Sequence, residues 1–212
     1  MTVSPVVFKP DYALARLLLG DSFISPEEIT VTHPDVVYGS KQLARLAATL
    51  PAETTLALLG GYGYGLMPRP PKKLSLVDIR ATWPDRFRQN TGRWYEQEQF
   101  SKSDLTGGTG WPATRETPAN GSTKKSMEEQ DKLLTDTEYV PNAAEMSWFV
   151  ATLFGVRGVR LFEKTFVRTS SLAAHDVRVY VGCFGPLQGI DIIGVWGNGR
   201  GVDLGLAPAR RL

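Results

Sequence analysis

Apolar residues recur at three- and four-residue spacing through the first part of the chain, and beyond Gly158 they give way to short β-type runs separated by glycine. The first pattern predicts helices. Tyr12 to Leu19 reads as one that stops at Gly20, and Ser25-Pro26-Glu27-Glu28 carries the N-cap, proline and acidic first turn of a second. A third is expected from Ser40 through Leu43, Leu46, Ala47 and Leu50, and a fourth, opened by Pro51, from Ala52 to Leu59, closed by Gly60-Gly61.

Between Gly60 and Gly65 the glycines alternate with Tyr62 and Tyr64. A phosphate-cradling loop needs a helix N-terminus directly after it, and Pro68, Pro70 and Pro71 forbid that helix. The stretch therefore reads as a helix exit and turn into a proline-rich linker. Leu74 to Ile79 fits a short helix or a strand, ended by Trp83-Pro84. Ser101 to Lys125, rich in Gly, Thr, Ser and Pro, is expected to be irregular and pinned by Trp111. Ser126 with Glu129 forms a capping-box pattern, and Pro141-Asn142 begins a helix with Met146, Phe149, Val150 and Leu153 on one face before Gly155. The β-type runs are Val159 to Phe162, Phe166 to Thr169, Val177 to Val181, Gly189 to Ile193 and Val202 to Leu206. Helices first and strands after predict an α+β fold.

At 212 residues there is length for one well-buried core, alone or with a small appendage. Charge is near balance, 24 basic against 22 acidic residues, and no basic run interleaves with aromatics, which argues against nucleic acid as partner. The single cysteine, Cys183, excludes an intramolecular disulfide. Lys9, Pro10 and Asp11 interrupt any apolar leader, and no window approaches a membrane span, so a soluble chain is expected, cytoplasmic by default or displayed on a particle or surface by another component.

Catalytic and metal chemistry find little footing. His33 and His175 are far apart, and neither has a second histidine or a cysteine at ligand spacing. His175-Asp176 reads better as an exposed loop pair than as a catalytic one. Asp191, Asn198 and Asp203 are scattered where calcium would need grouped oxygens. No cofactor and no metal is expected. Asp104, Asp131, Asp136 and Glu138 read as solvated loop or cap charges.

The segment from Phe166 to Leu212 looks like a fixed β framework with interchangeable residues set into it. Framework-type residues recur as Arg168-Thr169-Ser170-Ser171, Val179 to Gly182 with Phe184, Gly189-Ile190 with Ile192, Trp196, Arg200, Leu204 to Ala207 and Ala209-Arg210. Val179, Val181, Ile190, Ile192, Trp196, Leu204 and Leu206 are expected to fill a core, leaving the opposite face tolerant of almost any side chain. Ile193 and Val195, with Leu172 and Leu187 nearby in sequence, read either as an apolar interaction patch or as core on a strand buried on both sides.

Taken with Pro70-Pro71-Lys72, Leu74-Ser75-Leu76, Trp94-Tyr95, Phe100, the Ser126 to Leu134 segment, Val140 to Ala143 and Arg160-Leu161-Phe162, this framework resembles the variable proteins of diversity-generating retroelements. The likeness is to those with a C-type-lectin-like fold, found in archaea, in small-genome candidate-phylum bacteria and in their viruses. The resemblance covers about 140 residues and rests on order and spacing rather than on one motif. It implies a C-type-lectin-like domain over residues 71–212 behind a helical N-terminal appendage over 1–70, with a variable region at about 168–212. Error-prone copying at adenines would diversify a hypervariable surface there. It further implies a non-enzymatic, receptor-binding type of function, ligand binding to a protein or cell-surface structure, by a chain expected to be a monomer.

The positions it would assign to the variable face are Leu172, Ala173, Ala174, His175, Asp176, Cys183, Asp191, Ile193, Gly194, Val195, Gly197, Asn198, Gly199, Gly201, Val202 and Asp203. Gly185-Pro186-Leu187-Gln188 departs from the polar turn expected in such a framework. Two alternatives remain. One is a fixed-site carbohydrate-binding lectin. The other is a lectin-fold oxidase, whose relatives bind copper with a pair of C-terminal cysteines where this chain has Cys183 alone.

Overall fold

The computed structural model describes residues 12–89, 93–196 and 199–212. Four helices open the described chain: α1 (Ala13–Leu19), α2 (Pro26–Thr32), α3 (Ser40–Ala48) and α4 (Glu53–Gly61). Gly20, at φ 56°, ends α1 and Ser25 caps the start of α2, as the sequence predicts, with the Glu28 carboxylate capping back reciprocally on the Ser25 N–H. Then come β1 (Tyr64–Leu66), α5 (Leu76–Thr82), α6 (Phe100–Ser103), β2 (Ala113–Arg115), α7 (Met127–Asp131), β3 (Glu138–Tyr139) and α8 (Ala143–Arg157). The C-terminal part holds β4 (Phe166–Leu172), β5 (Arg178–Gly182), β6 (Asp191–Val195), β7 (Leu204–Gly205) and β8 (Ala209–Arg210). The fold is mixed α+β.

Two small sheets result. One has the order β1-β2-β8-β3 and is antiparallel throughout; the other has the order β6-β5-β4-β7, with only the β4–β7 pair parallel. β1 corrects the linker expected after Gly60, and β2 corrects the wholly irregular segment expected from Ser101. Both are three residues long, too short for a periodic signal. Gly65 shows why the tyrosine–glycine alternation is there: a Cβ on it would press on the Phe149 ring and on Glu116. Leu74 to Ile79 resolves as helix α5, capped by Ser75 and Asp78. The run from Val159 to Phe162 forms no strand.

Helix α8 organises the core. Asn142 and Glu145 cap its start, and Gly158 in the left-handed conformation ends it. Its buried surface is wider than the one face predicted: Ala143, Ala144, Ser147, Trp148 and Ala151 are buried along with Met146, Phe149, Val150 and Leu153. The reason is its position, in contact with α2 and α5 as well as with β4 and β5, so that it is enclosed on several sides. Gly155 lies inside the helix instead of stopping it. A Cβ there would come within 2.5 Å of His33 Nε2 and 2.7 Å of the Arg86 guanidinium.

A helical appendage ending at residue 70 is expected from sequence, but the packing crosses that boundary. Ala15, Leu19, Phe23, Ile29 and Leu59 belong to the same hydrophobic cluster as Val167, Val181 and Ile192. Phe23 also bridges to Leu66 of β1.

Candidate functional site

The β6-β5-β4-β7 sheet carries most of the residues that the sequence singles out, and its two faces differ. Alternation along the strands sends Val167, Val179, Val181 and Ile192 to the inner face, where they join the main core around α8. The outer face holds a much smaller cluster of Phe166, Tyr180 and Leu204, against which Cys183, Ile193 and Val195 pack half-buried. Ile193 and Val195 thus belong to a strand covered unequally on both sides, which favours the core reading of that pair.

What covers the outer face is specific. Arg168, 2% exposed, gives one guanidinium nitrogen to the carbonyl of Met127 at 3.0 Å and pairs with Asp131, so α7 seals one flank. The described part of the glycine-rich loop lies over another part of this face. A Cβ on Gly199 would overlap the Val195 side chain, and one on Gly201 would come within 2.7 Å of Leu204 Cγ. Gly194 is similarly confined, with Val177 and the Trp94 indole where a side chain would go. The resemblance assigns these three glycines to the variable face, but their surroundings restrict substitution because the chain passes too close to its neighbours.

One end of the sheet stays open. Leu172 pairs with Arg178, and Arg178 with Val195, forming a row across β4, β5 and β6. Just beyond it the Ala174–Val177 turn rises, closed by the Val177 N–H donating to Ala174 O at 3.4 Å. His175 and Asp176 both sit at positive φ, 58° and 59°, a conformation that non-glycine residues adopt at a cost. The Ala174 N–H donates to a Glu98 carboxylate oxygen at 2.8 Å, which ties the turn to the preceding chain. The His175 imidazole stacks on Trp196, with ring centroids 6.3 Å apart and planes 23° from parallel.

Trp196 corrects the core assignment made from sequence: it is 69% exposed. Strand β6 ends at Val195, so the inward parity that Trp196 would inherit from Ile192 no longer applies. Leu172, Ala174, His175, Asp176 and Trp196 therefore form one exposed group, with Ala173 half-buried beside them. Val202 and Asp203 are also exposed, on the return to β7, where the Asp203 carbonyl accepts from Phe166 N–H at 2.7 Å. Gly197 and Asn198 lie outside the described residues.

Asp191 is a second correction. It is 3% exposed, with one carboxylate oxygen 2.7 Å from Arg88 and the other accepting from Ile192 N–H at 2.9 Å. It fastens β6 to the Phe87–Arg88 segment, which also pairs by backbone, Arg88 N–H to Ile190 O at 2.9 Å. A buried, ion-paired carboxylate is no part of an exposed face. Cys183 is likewise at that far end, half-buried, and its thiol is pushed up by burial and by the nearby carboxylate of Asp191. A thiol so biased toward its protonated form is a poor nucleophile and a poor metal ligand.

Among the described residues no three His, Cys, Asp or Glu side chains gather as a metal-binding group, and no helix is long and apolar enough to cross a membrane. His33 is buried against Trp83 and Arg86, and burial followed by the Arg86 charge lowers its pKa to about 4. In comparisons with known proteins, no family model matches the chain, and neither a curated protein nor a solved structure matches it.

Proposed function

We propose that the chain is a non-enzymatic ligand-binding protein with a C-type-lectin-like domain, which presents the open end of its C-terminal sheet to a protein or cell-surface ligand. Diversification of that surface by a retroelement is part of the same reading. The observation that carries the binding role is the exposed stack of Trp196 on His175 beside Leu172. A large aromatic left in solvent and stacked against a supported, strained turn is the kind of side chain from which interface hot spots are built.

The interior residues of the framework support the diversification reading through their location, while its Trp196 and Arg200 are exposed. Arg168, Thr169, Val179, Val181 and Ile192 are buried or tied down, whereas Leu172, Ala174, His175, Asp176, Val202 and Asp203 are exposed. Substitution at exposed positions away from special geometry costs little.

Sequencing the DNA around the gene tests this. The expected finding is a near-copy of the segment encoding residues 170–212, differing almost only at adenines, beside a reverse transcriptase gene. The differences should change exposed positions and spare Val179, Val181, Asp191 and Ile192. Absence of the copy, or differences spread equally over inward positions, would remove diversification from the reading and leave a fixed-site binder.

A further inference from the structure

A second site lies at the opposite end of β6 from the open turn. The Asp85–Gln89 segment, Phe154 near the end of α8, Arg160, Phe184 and the Pro186–Gly189 turn enclose a cavity of about 580 Å³. That is within the size range of small-molecule sites. Arg86, Arg88 and Arg160 line it, and the lining also includes Asp85.

The three arginines are not equally engaged. Arg88 is neutralised by Asp191 at 2.7 Å. Arg86 donates to the Ala151 carbonyl at 2.8 Å and lies against the His33 ring, neither of which carries a compensating negative charge. Arg160 rests on two aromatic faces, its guanidinium carbon 4.4 Å from the Phe154 ring centre and 4.7 Å from that of Phe184, and its hydrogen bond to Gly185 O is long at 3.5 Å. Among the described residues neither Arg86 nor Arg160 forms an ion pair. With Arg88 paired to Asp191 and the charge of Arg86 balanced by the neighbouring Asp85, Arg160 is the arginine of the cavity left with no carboxylate partner among the described residues.

We infer that this cavity binds a small oxyanion bearing an apolar or aromatic group, with Arg160 as the principal anion contact and Phe184, Pro186 and Leu187 as the wall for the apolar part. The chemistry follows from the residue types. A guanidinium lodged against the two nearly perpendicular rings of Phe154 and Phe184 is restricted in position, so less side-chain freedom is lost when it forms two parallel bonds to a carboxylate or phosphate. Leu187, 98% exposed at the mouth of the cavity, gains contact only when something occupies the space beside it. The inference is independent of the proposed function, because it uses none of the residues at the open turn.

Calorimetric titration of the full chain at low ionic strength, with phenyl phosphate and with inorganic phosphate as probes, tests it. Phenyl phosphate should bind saturably and more tightly than inorganic phosphate. Arg160→Gln should weaken phenyl phosphate by about tenfold or more, the loss typical of a charge-assisted bidentate contact. Leu187→Glu places a carboxylate at the mouth from a position with no packing to lose, and should weaken it by about tenfold as well, so a folding defect in the first variant cannot hide the answer. Arg45→Gln, at an exposed arginine lining a different cavity, should leave the affinity unchanged. Overturning results are no saturable binding, unchanged affinity in either cavity variant, equal weakening by Arg45→Gln, or equal affinity for the two probes.

Discussion

The two faces of the C-terminal sheet are built from alternate residues of the same strands and behave as different materials. On the inner face Val167, Val179, Val181 and Ile192 are fully enclosed against a helix that is itself buried on several sides. On the outer face Phe166, Tyr180 and Leu204 make a small cluster, closed by one short helix and the described part of a glycine-rich loop, and the end bearing Leu172, His175 and Trp196 is left to solvent. Fold information is concentrated on one face and free surface at one end of the other. A sheet so divided can change its exposed end without renegotiating its core.

Neighbouring isoleucines break or sharpen this contrast most strongly. Ile192→Ala, on the inner face, should cost about 3–4 kcal/mol in denaturant unfolding, and Ile193→Ala, one residue on but outward, only about 1 kcal/mol. Equal costs would mean that the outer cluster is as well packed as the core.

The sealed side also holds a titratable group, His33, whose folded pKa of about 4 lies below its ordinary value near 6.5. The fold binds the neutral ring, so its contribution is present in full above about pH 6.5 and is lost as pH falls toward about 4, on the order of 2 kcal/mol. Comparing the pH dependence of unfolding with that of His33→Gln isolates the effect, and the variant should show a flatter curve over that window.

Smaller effects belong to the outer face. Gly199→Ala should destabilise by about 1–2 kcal/mol because its methyl group meets Val195, and Val195→Ala in the same chain should recover part of that loss in a double-mutant cycle. Replacing His175-Asp176 by Asn-Gly should stabilise by about 1 kcal/mol, since both positions have positive φ. Trp196→Ala should shift the unfolding midpoint least, by about 0.5 kcal/mol or less.

Much of the helical scaffold was legible because its signals are local. The capping box at Ser126 and the helix starts at Ser25 and Asn142 each lie within four residues and appear as predicted, and the structure adds capping boxes at the latter two. β4, β5 and β6 overlap the runs that alternation and β-branching suggest, with their ends shifted by up to three residues. What escaped sequence depends on distant partners or on an element's end. Asp191 looks like a surface carboxylate until Arg88, 103 residues earlier, is placed against it. Trp196 looks like core because alternation is extrapolated past Val195, where the strand stops. β1 and β2 are too short to announce themselves and form through each other. At the candidate surface Leu172, Ala174, His175 and Asp176 are exposed, whereas the confinement of Gly199 and Gly201 is invisible in sequence because the Val195 and Leu204 side chains they press on come from the folded sheet.

The most direct measurement is a pair of combinatorial libraries scored for protease resistance. One randomises Leu172, Ala174, His175, Asp176, Trp196 and Val202 together; the other randomises Val167, Thr169, Val179, Val181 and Ile192. Most members of the first should remain folded and almost none of the second. If the first library collapses as the second does, the open end is part of the fold and cannot serve as an exchangeable binding surface.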